Sequence, residues 1–64
     1  MPKYDVKVEL VGEDGNAFAI MGKVTRALRR HGVEKLVRDQ YFVEATKGDY
    51  DNLLRVTMDW VVVE

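Results

Sequence analysis

Asp14-Gly15-Asn16-Ala17-Phe18 is the stretch at which this sequence changes period. Before it, from Lys3 to Leu10, charged and apolar residues alternate without a break. After it, from Ala17 to His31, apolar residues return every third or fourth position. The first pattern is that of a strand with one buried face, the second that of an amphipathic helix. A strand that gives way to a helix within a few residues makes this an α+β chain.

Upstream, the alternation separates two faces. Tyr4, Val6, Val8 and Leu10 fall on one side, and Lys3, Asp5, Lys7 and Glu9 on the other. β-Branched and aromatic residues on a single face predict a core-facing strand whose charged side meets water. Between strand and helix, Val11 to Asn16 reads as a turn. Gly12 and Gly15 open backbone angles closed to other residues, and Asp14-Gly15 is a turn dipeptide. Asp14 or Asn16 is then the expected N-cap, its side chain accepting from the first free N–H groups of the helix.

Downstream, the stripe of helix one is Ala17, Ile20, Met21, Val24, Ala27 and Leu28, with Phe18 beside it. Lys23, Arg26 and Arg30 line the opposite side. Gly22 in mid-helix costs up to about 1 kcal/mol against alanine, which suggests a close approach by another backbone. Arg29, Arg30 and His31 suit the negative end of the helix dipole. Gly32 is the expected left-handed stop, with Val33 as the apolar contact after it.

A second helix is expected from Val33 or Glu34 to Lys47. Val33, Leu36, Val37, Tyr41 and Ala45 fit a stripe in which Glu44 is an intruder, and Gln40 to Val43 also reads as a short strand. Gly48 is the expected glycine cap of this helix. Asp49 is the expected N-cap of a third, and Asp51 adds favourable charge to its first turn. Asn52 stands where a capping box carries Glu or Gln. The inner stripe predicted for this helix is Tyr50, Leu53, Leu54, Thr57, Met58 and Val61. Val61 to Glu64 is too β-branched for helix and reads as a short extended tail able to pair with the first strand. The expected architecture is one small domain, residues 1–64, of order β-α-α-α-β.

Sixty-four residues with 47% apolar content support one modest core. There is no cysteine, so neither a disulfide nor thiolate ligation braces it. One strand with a short tail leaves an exposed edge, and a homodimer joined through strands or helix faces is the simplest remedy. No apolar run approaches the roughly 18 residues of a membrane span, and the first residues lack the apolar centre of a signal peptide. The expected location is the cytoplasm.

Net charge is −1, but it is unevenly spread. Residues 17–38 carry Lys23, Arg26, Arg29, Arg30, Lys35 and Arg38 against Glu34, whereas residues 39–64 carry six acids against Lys47 and Arg55. Lys23, Arg26 and Arg30 are therefore candidate phosphate contacts, set against the plainer reading of a solvated helix face. Helix one, Gly32 and helix two come near a helix-turn-helix without its recognition spacing. Gly12 to Asn16 lacks the glycine pattern and lysine of a phosphate loop, and Glu13 and Asp14 repel an anion. The acids match no calcium-loop spacing, so neither metal nor other cofactor is expected. No serine occurs, His31 is the single histidine, and Thr25, Thr46 and Thr57 have no evident base. These residues give no basis for an enzyme.

Gly12-Glu13-Asp14-Gly15-Asn16-Ala17-Phe18, Ala27-Leu28, Glu44-Ala45-Thr46 running into Gly48-Asp49-Tyr50-Asp51-Asn52-Leu53-Leu54, and Trp60-Val61 together resemble a group of small uncharacterised proteins of bacteria, phages and other mobile elements. The resemblance covers nearly the whole chain. It transfers no catalytic or binding residue. It implies a prokaryotic cytoplasmic setting and an accessory role on a mobile element. The expected function is a non-enzymatic module whose partner is a protein, with nucleic-acid binding through helix one as the alternative.

Overall fold

The computed structural model of the chain describes residues 2–10 and 16–64. In order they form β1 (Lys7–Val8), α1 (Ala17–Arg30), α2 (Lys35–Ala45), α3 (Tyr50–Trp60) and β2 (Val62–Val63). This is the expected β-α-α-α-β domain. The turn assigned to Gly12, Asp14 and Gly15 lies outside the described residues.

β1 and β2 pair in parallel, with Lys7 opposite Val62 and Val8 opposite Val63. The contact is longer than the two-residue strands imply. Lys3 and Tyr4 donate to the carbonyls of Asp59 and Trp60, and Leu10 donates to Glu64. Val62 and Glu64 donate to Val6 and Val8 at 2.8 and 2.9 Å. The predicted parity holds: Val6 and Val8 are buried, Tyr4 and Leu10 pack against the core, and Lys3, Asp5, Lys7 and Glu9 are exposed.

α1 follows its pattern closely. Asn16 Oδ1 accepts from the Ala19 N–H at 3.2 Å, so Asn16 is the N-cap. Ile20, Met21, Val24 and Leu28 are buried. At the other end, the Val33 N–H bonds the Leu28 carbonyl and the Gly32 N–H bonds the Arg29 carbonyl. Gly32 has φ of 90°, which completes a Schellman stop. Gly22 is a correction: a Cβ built there meets nothing within 4 Å, so no backbone requires the glycine.

α2 is helical through Gln40 to Val43, so the strand alternative is set aside. It ends at Ala45 with Thr46 as C-cap, two residues short of the expected Lys47. Gly48 therefore does not cap it, nor does it adopt a left-handed conformation. Its smallness serves packing instead, because a Cβ on Gly48 would lie 3.0 Å from Asn52 Cβ. Asn52 uses that space to donate from Nδ2 to the Glu44 carbonyl at 3.0 Å, tying the end of α2 to the start of α3. Asp49 caps α3 as expected, with Oδ1 accepting from the Asn52 N–H at 3.0 Å.

The face α3 buries is rotated from the predicted one. Leu53, Thr57 and Trp60 are inside, whereas Tyr50 and Met58 face outward. Trp60 sets the rotation. It is 2% exposed, stacks on Tyr4 at 5.9 Å and meets Tyr41 edge-on at 5.6 Å. Burying the largest side chain outweighs keeping Tyr50 and Met58 dry. Lys3 Nζ sits 4.4 Å from the Trp60 ring. Glu44, the intruder in the α2 stripe, accepts from Trp60 Nε1 at 3.4 Å. Tyr41 and Thr57 share a buried hydrogen bond of 2.8 Å. Burial pushes the Tyr41 phenol above its ordinary pKa, and the bond to Thr57 opposes the shift only in part.

Candidate interaction surface

In a strand, successive residues turn their N–H and C=O groups to opposite edges. Here Tyr4, Val6, Val8 and Leu10 turn theirs toward the 59–64 segment. Asp5, Lys7 and Glu9 therefore present theirs at the other edge. The two-stranded sheet gives that edge no third strand among the described residues. One side chain reaches it: Lys23 Nζ donates to the Glu9 carbonyl at 3.0 Å.

A groove runs between this edge and the flank of α1. One part encloses about 250 Å³ and is bordered by Lys7, Glu9, Lys23, Arg26, Ala27 and Arg30. The next encloses about 400 Å³ and is bordered by Asp5, Val6, Lys7, Ala27, Arg30 and His31. The two share Lys7, Ala27 and Arg30, so they are one channel. Val6, Val8 and Ala27 give it an apolar part, and its charged border has Lys7, Lys23, Arg26 and Arg30 in excess over Asp5 and Glu9.

The sequence-derived cations Lys23, Arg26 and Arg30 are thus brought together, and Lys7 joins them. In the sequence Lys7 reads only as an outward strand charge; parity puts it on the wet face, and the parallel pairing with the tail leaves its edge beside α1. Of the other basic residues in the same region, Arg38 Nε donates to the Val33 carbonyl and Lys35 pairs with Asp39 at 2.9 Å. Both belong to the start of α2.

The remaining candidates have structural roles. Asn16, Gly32 and Asp49 hold helix ends, and Gly48 makes room for Asn52. Asp14 and Gly15 lie outside the described residues. The Thr25 and Thr46 hydroxyls donate to carbonyls of their own helices, and Thr57 is bonded to Tyr41. His31 is the exposed C-cap of α1. Among the described residues no three His, Cys, Asp or Glu side chains gather as a metal site would require. No helix among them is long and apolar enough to cross a membrane. The chain matches no protein-family model, no curated protein and no solved structure.

Proposed function

We propose that this chain is a small, non-enzymatic interaction module that receives an extended acidic segment of a partner protein along the outer edge of β1. The observation that carries this reading is the exposed edge at Asp5 and Lys7 beside Lys7, Arg26 and Arg30. Main-chain bonds to a sheet edge supply affinity, and side-chain sites beside it supply specificity. An entering strand with alternating apolar and acidic residues would rest its apolar side on Ala27 and Val6. Its carboxylates would meet the cations. Lys23 stops the added strand at Glu9, where it already holds the carbonyl.

Charge selects the kind of occupant. A second copy paired through this edge would bring Lys7, Lys23, Arg26 and Arg30 against the same four residues of its mate, an excess of positive charge that Asp5 and Glu9 offset only in part. Like-charge juxtaposition of that kind costs several kcal/mol. An acidic segment turns the same cations into attraction. We place the encounter in the cytoplasm, in keeping with an accessory role on a mobile element.

Nucleic acid is the second reading, because the same four cations would also suit phosphates. It is less well supported. The helix after Gly32 does turn Lys35 and Gln40 outward, but Lys35 is paired with Asp39 at 2.9 Å and apolar Leu36 and Val43 are exposed on the same helix.

Calorimetry of the full chain with an eight-residue peptide of alternating valine and glutamate, run beside a duplex DNA of about 20 base pairs, separates the two. The expected result is peptide binding that weakens at least about tenfold in the Arg26→Glu/Arg30→Glu variant. Tight, steeply salt-dependent duplex binding without peptide binding would transfer the groove to nucleic acid. Binding of neither in low salt would remove both readings.

A further inference from the structure

The wider part of the basic groove contains a residue that the acidic-segment reading leaves unused. His31, the single histidine of the chain, borders the depression of about 400 Å³ with Asp5, Lys7 and Arg30. It is the exposed C-cap of α1, and its backbone N–H bonds carbonyls of its own helix. Its ring has no hydrogen bond or ion pair among the described residues. With no internal partner to lose, the ring can gain or release a proton without breaking a contact of the fold.

We infer that His31 makes the groove pH-responsive, so that an acidic segment is held more tightly when the imidazole is protonated. The inference rests on the acidic-segment reading and adds its regulation. Histidine is the side chain whose charge changes between about pH 5 and 8. Lysine and arginine titrate well above this range and carboxylates at about 4, so histidine is the variable charge of the groove.

The neighbouring charges give the sign. Asp5 and Lys7 reach the depression from the strand, and Arg30 reaches it from α1. Along the chain, Arg29 precedes them, and Glu34 and Lys35 follow at the start of α2, with Lys35 paired to Asp39. At the depression two cations face one acid, and a protonated imidazole makes them three. In the free chain that added charge stands among like charges, with Asp5 opposing them. An entering row of carboxylates offsets it, so the complex favours the charged ring. By linkage, binding takes up a fraction of a proton, and affinity rises as pH falls through the histidine range. An ion pair in so exposed a place is weak, so the gain is about two- to fivefold.

The test is calorimetry of the full chain with the valine–glutamate peptide, its ends acetylated and amidated, at about pH 7.5 and about pH 5.5. The parent chain is expected to bind about two- to fivefold tighter at the lower pH. Its binding enthalpy should also vary with the ionisation heat of the buffer, which registers the proton taken up. His31→Gln should bind with the weaker affinity at both values. His31→Lys, whose charge does not titrate in this range, should bind with the tighter affinity at both. Both variants change an exposed side chain, and circular dichroism checks that the fold is intact. Equal parent affinity at the two pH values overturns the inference. So does a pH dependence that survives in His31→Gln. Either result leaves the acidic-segment reading standing, whereas no peptide binding at either pH in low salt removes that reading and this inference with it.

Discussion

The Trp60 pocket and the outer edge of β1 treat polar groups in opposite ways. Around Trp60 the polar groups have partners. Its indole N–H reaches Glu44, the Glu44 carbonyl takes Asn52, and Tyr41 is matched by Thr57. No described side-chain N or O is buried without a hydrogen-bond partner. Along the β1 edge, backbone groups of Asp5 and Lys7 have no strand beside them among the described residues, and cations are gathered at one place. A domain this small has few interactions to spare. Where its polar groups are matched it is holding itself together. On the proposed reading, stability and recognition occupy separate parts of the molecule, and substitutions should separate them too.

The largest effect is expected at Trp60. Trp60→Ala removes a ring packed on Tyr4 and Tyr41 and leaves a cavity worth about 3–5 kcal/mol. A 64-residue domain holds only about 3–10 kcal/mol in total, so urea melts should find the variant largely unfolded. The smallest effect on stability is expected on the other side of the comparison. Lys7→Asp changes an exposed charge and should alter stability by less than about 0.5 kcal/mol, while weakening an acidic peptide through lost attraction. Equal destabilisation by the two substitutions would erase the distinction. A Lys7→Asp chain that binds the peptide as before would detach Lys7 from the groove.

Features carried by neighbours in sequence were legible in advance. Strand parity gave Val6 and Val8, helical spacing gave Ile20, Met21, Val24 and Leu28, and cap chemistry gave Gly32 and Asp49 and narrowed the first N-cap to Asp14 or Asn16, of which the structure uses Asn16. Features set by distant partners were not. The α3 face depends on where Trp60 finds Tyr4 and Tyr41, 56 and 19 residues away in sequence. Glu44 breaks the α2 stripe because its partner is Trp60, distant in sequence. Gly48 stands where a helix cap is expected, but its reason is the Asn52 side chain. Gly22 has no packing reason in the described structure. The groove was half visible, since Lys23, Arg26 and Arg30 share a helix face, but Lys7 joins only through the parallel pairing with the tail.

The most direct measurement is residue-resolved amide hydrogen exchange of the full chain, alone and with the valine–glutamate peptide. An open edge predicts fast exchange at Asp5 and Lys7 and slow exchange at Tyr4, whose N–H is bonded to Trp60. Adding peptide should slow Lys7 and leave Tyr4 unchanged. A Lys7 amide already protected in the free chain, or one that the bound peptide leaves fast, would contradict the proposal that this edge is where the partner joins.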